Sequence, residues 1–293
     1  MTSTSGLAPS EASAATSEHV KAVQPDSSEN VVGGFRSWQY LWRAINDPAP
    51  CQPGKGFLRQ WLLWPRVFDV ASCLIQLRWR KRLPSVQPER PFEDPAVRKS
   101  YAHNARVTST KVVTTSRRAE PLYQILTTPT RCLTQERLLI IGPRNAQELL
   151  MAWLHGYAWK HIDAIDLYSA HPKIRVMNME QMTFGEGAFD AMIMAHTLPY
   201  AKDVFRCLSE VHRVLTPGGR FVFNIPHVTR ATGWSGNQLH GQELREMLRR
   251  LSFDLFHYHA FDKVSRDGIP QTTHVFGVQK RDGQSRMDRI EWS

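Results

Sequence analysis

The chain has 293 residues, 42% of them hydrophobic, with 37 Lys and Arg against 27 Asp and Glu, a net charge of +10. That length can bury a full core and still carry extensions. Its four cysteines (Cys51, Cys73, Cys132, Cys207) have no short paired spacing, so neither a zinc site nor a disulfide framework is indicated.

Residues 1–34 are rich in Ser, Thr, Ala and Glu, with Lys21 as their sole basic residue. Low hydrophobicity without periodicity predicts a disordered tail. No apolar run of secretory type is present, and Glu11, Glu18, Asp26 and Glu29 argue against an organelle transit peptide.

Residues 35–120 form a basic, Trp-rich segment. Between 31 and 120 there are 16 Lys and Arg against 6 acids, and the segment holds Trp38, Trp42, Trp61, Trp64 and Trp79. From Pro65 to Trp79 the pattern predicts a helix. Asp69, Ser72, Gln76 and Arg80 make a narrow polar stripe, and Val67, Phe68, Val70, Leu74, Ile75 and Leu77 fill the rest. The run Arg78-Trp79-Arg80-Lys81-Arg82 follows. Three roles stay open for this extension. It can be a lid or subunit-joining layer, a peripheral membrane contact through residues 57–82, or, ranked last, a nucleic-acid surface. A transmembrane span is disfavoured by Arg59, Arg66 and Asp69.

From residue 121 to 283 the pattern changes to short apolar strands separated by loops and helices. Leu138–Ile141 is the first strand, broken by Gly142-Pro143-Arg144-Asn145 and followed by a helix toward Gly156. Ile162 to Leu167, Ile174 to Met177 and Phe189 to Met194 read as the next three. A helix with Glu210, His212 and Arg213 leads through Pro217-Gly218-Gly219 into a fifth strand, Arg220 to Ile225. This alternation predicts a doubly wound, Rossmann-like α/β domain with a mostly parallel sheet. Ligands of such sheets bind outside the carboxyl ends of the strands. Gly241 to Arg250 reads as another helix, Phe253–Phe261 and Thr273–Gln279 as closing antiparallel strands, and residues 284–293 as a tail.

The closing half, Phe189-Asp190, His196-Thr197-Leu198 and Arg213-Val214-Leu215-Thr216-Pro217-Gly218-Gly219-Arg220, resembles the class I S-adenosylmethionine-dependent methyltransferases, especially those acting on small molecules. The resemblance covers roughly half the chain. It implies a seven-stranded sheet ending in an antiparallel hairpin, and S-adenosylmethionine as cofactor. The opening half departs from the family pattern. Ile140 stands where the family has an acid, and Arg144 and Ala146 replace later glycines, leaving Gly142.

On that resemblance, Gly142, Arg144, Asp166, Asn178 and Met179 are the expected cofactor residues. Arg144, just before a helix N-terminus, can hold a carboxylate bidentately or simply solvate its loop. Asp166, 24 residues after Gly142, suits the ribose hydroxyls; the alternative is a turn cap. Asn178 and Met179 fall where the family reads adenine, against the alternatives of an Asx-turn and core packing. His196 is the best single general-base candidate, although a structural histidine is the favoured alternative and the family often works by alignment alone. The loop from Pro226 to Leu239, with His227, Arg230, Trp234 and Asn237, should wall the acceptor pocket.

Other chemistries find no footing. His257 and His259 lack carboxylate or thiolate companions, so no metal is expected. Gly233-Trp234-Ser235-Gly236-Asn237 misses the nucleophile-elbow pattern, and no phosphate-binding glycine loop or dinucleotide fingerprint is present. The expectation is methyl transfer to a small-molecule or lipid-like acceptor by a cytoplasmic protein, with membrane association and homo-oligomerisation left open. The competing classes are a catalytically inactive scaffold that keeps the fold, and an RNA methyltransferase.

Overall fold

The computed structural model describes residues 61–62, 64–80, 92–110, 119–127, 132–143, 145–169, 171–228, 239–264 and 270–282. All belong to one compact unit, residues 43–293. The tail, Trp38, Trp42, Arg144, the run 81–91 and residues 229–238, which include Arg230, Trp234 and Asn237, lie outside the described residues.

Among the described residues three helices precede the sheet: α1 (Pro65–Arg80), α2 (Pro95–Thr110) and α3 (Glu120–Thr127). The first two begin on proline, whose fixed φ and missing N–H suit a first helical position. The sheet domain then runs β1 (Leu138–Ile141), α4 (Ala146–Leu154), β2 (Ile162–Asp166), β3 (Ile174–Val176) and β4 (Phe189–Ala195). It continues with α5 (Val204–Val214), β5 (Leu215–Val228), α6 (Gly241–Arg250), β6 (Phe253–Val264) and β7 (Pro270–Lys280).

Seven strands form one sheet in the order β3-β2-β1-β4-β5-β7-β6. β1 to β5 are mutually parallel, while β7 runs antiparallel to β5 and β6 antiparallel to β7. The expected alternation of strand and helix fails in one region. Among the described residues no helix separates β2 from β3 or β3 from β4, and the chain crosses by loops.

Both faces of the sheet are covered, which is why β1 reads Leu-Leu-Ile-Ile rather than alternating with polar residues. Leu139 and Ile141 join Phe189, Met192, Phe223 and Phe276 on the face covered by α5 and α6. Leu138 and Ile140 join Leu122, Tyr123, Leu149 and Phe68 on the face covered by α1, α3 and α4. The buried residues of α5 are Val204, Cys207, Leu208, Val211 and Val214, the spacing of one helical stripe. Asp203 caps that helix by accepting from Arg206 N at 2.9 Å.

A buried ion pair locks α3 to the sheet. Arg220 donates through Nη2 to Glu136 Oε1 at 2.7 Å and Oε2 at 2.5 Å, and through Nη1 to Leu126 O at 2.5 Å. Burial pushes the nearby Tyr157 phenol well above its ordinary pKa, and the Glu136 charge adds to the shift.

Part of the polar stripe of α1 turns inward. Ser72 and Gln76 face inward beside Phe68, while Val70, Leu74 and Leu77 are exposed. Helical spacing says which residues share a face, not which face turns inward.

Candidate functional site

The chain leaves β1 outward to β2 and β3, then returns on the other side of β1 as β4, so the strand order reverses between β1 and β4. At such a reversal the loops after neighbouring strands splay apart and open a crevice.

Gly142 ends β1 with φ +69 and donates its N–H to Ile165 O at 2.8 Å. That left-handed conformation favours glycine. Thr197 fills the space where a side chain would stand: an added Cβ would lie 2.8 Å from Thr197 Cβ, and closer still to its Oγ1 and Cγ2. Thr197 donates to Ala195 O at 3.1 Å. Two residues beyond Pro143, Asn145 caps α4 by accepting from Gln147 N at 2.9 Å.

His196, next after β4, has φ +57 and is one of two described non-glycine residues in the left-handed region. Histidine enters this region more readily than most residues, and such backbones gather at functional sites. Its N–H is held by Asn224 of β5, donating to Oδ1 at 2.8 Å and to the Asn224 carbonyl at 3.3 Å. Asn224 is the one polar side chain inside Phe221-Val222-Phe223-Asn224-Ile225. That interruption of an apolar strand is the sequence signal that marks it.

Asp166 ends β2. Its Oδ1 accepts from Leu167 N at 2.6 Å and from Asn104 Nδ2 of α2 at 2.9 Å. Its carbonyl accepts from Met177 N at 3.0 Å, which draws the loop after β3 against the end of β2. Asn178 forms an Asx-turn, Oδ1 accepting from Glu180 N at 3.0 Å, and Met179 packs on the core, so both structural alternatives are realised at these positions.

That loop is held firmly. Buried Glu180 accepts from Lys202 N at 2.6 Å and Asp203 N at 3.3 Å. Glu210 of α5 accepts from Met182 N at 2.8 Å, and Arg213 donates to Phe184 O at 2.8 Å and Met182 O at 2.9 Å. The Arg213 guanidinium, followed by the Met182 N–H, keeps the Glu210 carboxyl below its usual range although burial opposes the shift.

Helix α2 lies over the crevice. Besides Asn104 on Asp166, Tyr101 meets Tyr168 with ring centroids 6.0 Å apart, and His103 stacks on Tyr200 at 6.3 Å. Lys202 pairs with Asp94 just before the helix at 2.5 Å. Gly142, Asp166, Asn178, Met179 and His196 therefore stand at the carboxyl ends of β1 to β4 as expected from sequence, and Arg144 falls outside the described residues. Asn104 had no local signal, lying 62 residues from its partner. His257 and His259 lie on β6, and among the described residues no group of three or more potential metal ligands occurs. No described helix is long and apolar enough to cross a membrane.

A partly buried carboxylate at the end of β2, a left-handed glycine ending β1 and a rigid amide-and-thioether loop after β3 fit a nucleoside. The carboxylate suits hydroxyl donors, and the apolar loop suits a flat base.

A family model described as a methyltransferase domain matches residues 154–223, which contain β2 to β4, α5 and the first part of β5. No curated protein matches the sequence. Similar solved structures include the YcgJ protein of Bacillus subtilis, at 12% identity over 57% of this chain and 99% of that one, with a TM-score of 0.45. Another is the 1,6-didemethyltoxoflavin-N1-methyltransferase of Burkholderia thailandensis, at 17% identity over 67% and 94%, with a TM-score of 0.46. A third is phosphoethanolamine N-methyltransferase 2 of Haemonchus contortus, at 12% identity over 56% and 52%, with a TM-score of 0.43. Residues 154–223 are thus similar to a methyltransferase domain, set in a seven-stranded sheet that ends in an antiparallel hairpin.

Proposed function

We propose that the protein moves the sulfonium methyl of S-adenosylmethionine to a nucleophilic atom of a small-molecule or lipid-like acceptor. The observation that supports this reading is the placement of Gly142, Asp166 and His196 at the carboxyl ends of β1, β2 and β4, with Asn104 of α2 on Asp166. When bound, the cofactor supplies an electrophilic methyl group on a positively charged sulfur. Asp166 would accept from the ribose hydroxyls, the Asn178–Met179 loop would border the base, and Gly142 would let the backbone approach closely. Arg144 would take the terminal carboxylate from its place before the N-terminus of α4.

His196 is the residue proposed to take the acceptor's proton; its backbone N–H is held by Asn224. It would receive that proton as the methyl is transferred, while the rest of the catalysis is alignment in a site shielded from water. α2 serves as the lid: its Asn104 holds the Asp166 carboxylate in this structure, so ligand entry begins with parting that hydrogen bond.

The test is calorimetric titration with S-adenosylhomocysteine. Micromolar binding that disappears in Asp166→Ala is the expected result. Folded wild-type protein that binds nothing would sink the enzymatic reading. The Asn104–Asp166 contact also favours a second reading, a domain that keeps the fold as a scaffold with its nucleoside site closed by α2, and that null titration is its expected outcome.

A further inference from the structure

The geometry points to the outward face of α1 as a docking surface for an anionic lipid bilayer. This does not depend on the methyl-transfer reading. On that face Val70 is 61% exposed, Leu74 62% and Leu77 46%; just before the helix Trp64 is 70% exposed and Trp61 57%. Arg66 and Arg78 are exposed as well. At 100° per residue, Arg66, Val70, Leu74 and Leu77 fall within about one quarter-turn of each other, and Arg78 flanks them.

The opposite face holds what a soluble helix would expose. Ser72 and Gln76 are buried there, and Ser72 is satisfied only by its own helix, donating to Asp69 O at 3.0 Å. Asp69 Oδ1 and Gln76 Nε2 are buried with no hydrogen-bond partner among the described residues. Leaving polar atoms unsatisfied inside while aliphatic side chains stand in water is unfavourable in an isolated molecule. The arrangement becomes favourable when the outer face is covered by an apolar phase.

Charge identifies the occupant. Between residues 57 and 82 the sole acid is Asp69, which faces inward, and the sequence runs on as Arg78-Trp79-Arg80-Lys81-Arg82. A second copy seated on this face would bring arginine near arginine, a juxtaposition that opposes association. Anionic head groups instead neutralise these charges while acyl chains receive Val70, Leu74 and Leu77, and indole rings favour the boundary between the two. Helix α1 would then lie in the interface plane with the sheet domain on its cytosol-like aqueous side, so that a lipid-like acceptor meets the protein where it binds.

The experiment uses the full chain with phosphatidylcholine vesicles that contain or lack about one-third phosphatidylserine, read by flotation and by tryptophan fluorescence. Binding to the anionic vesicles only is expected, with a blue-shifted emission. A Leu74→Ser/Leu77→Ser double variant and an Arg66→Glu/Arg78→Glu double variant should each lose at least about tenfold in partitioning. Both alter exposed positions, so their thermal midpoints should match the wild type. Gln76→Leu, on the inward face, should raise the midpoint and leave partitioning unchanged. Absence of binding to either vesicle overturns the proposal, as does equal binding to both. Concentration-dependent dimerisation abolished by the leucine variants would assign the face to a second copy and overturn it too. Neither cofactor nor acceptor is needed for any arm, so failure here is separate from failure of the titration above.

Discussion

Replacing Gly142 by alanine perturbs two features at once, and a double-mutant cycle separates them. Alanine at φ +69 costs about 1–2 kcal/mol in backbone conformation. The new Cβ would also stand 2.8 Å from Thr197 Cβ and closer to the other Thr197 atoms, none of which is the far end of a flexible chain. Overpacking of that kind costs about 1–3 kcal/mol more. Gly142→Ala should therefore destabilise the domain by about 2–5 kcal/mol, measured as a fall in urea midpoint at unchanged slope. Thr197→Gly empties the contested space, so in the double variant only the conformational part remains. A favourable coupling of about 1–3 kcal/mol should appear between the two substitutions. Additivity to within about 0.5 kcal/mol would refute the claim that Thr197 occupies the missing side chain's place.

Glu136→Gln leaves the Arg220 guanidinium buried without its counter-charge and should cost about 3–5 kcal/mol in chemical denaturation; a loss under about 1 kcal/mol would mean that the pair is hydrated. Asn104→Ala should tighten S-adenosylhomocysteine binding about fivefold, because one partly exposed hydrogen bond of about 1 kcal/mol no longer has to be broken at Asp166. Unchanged or weaker binding would show that Asn104 is not displaced. His171 is lowered to about 4, chiefly by burial and then by Lys173, so it is neutral in the fold. Its contribution to stability is complete above the unfolded value near 6.5 and is lost as pH falls toward about 4. His171→Gln should flatten the stability curve across that window, and an unaltered acid slope would contradict the assignment.

Much of the sheet was legible because a strand buried on both faces must be apolar at every position, and Leu138–Ile141 and Ala191–Met194 satisfy that rule without ambiguity. The stripe of α5 was equally plain. What escaped was set by tertiary partners. Pro172 after β2 and Gly185 and Gly187 after β3 are the local marks of loops there, outweighed in the reading by the strand–helix alternation around them. The periodicity of α1 gave the membership of each face but not its direction. At the site, strand ends located Asp166 and His196, while Asn104 and Asn224 are joined to them only by the folded chain. Asn178 shows the limit of carrying a position over by resemblance, since its side-chain oxygen is engaged in its own turn.

Helices α2 and α3, both N-terminal to the sheet, differ in how they are fastened. α3 is held by a buried guanidinium and by Leu122, Tyr123 and Leu126 in the core, whereas α2 meets the crevice through an amide, two ring contacts and an ion pair at the surface. Under the proposed lid role, opening α2 would be a sub-global event, cheaper than unfolding, with its own equilibrium constant. Any affinity measured for a ligand that displaces Asn104 is the intrinsic affinity multiplied by the open fraction. A mutation anywhere along α2 will then register as a change in apparent binding, even at residues that never touch the ligand.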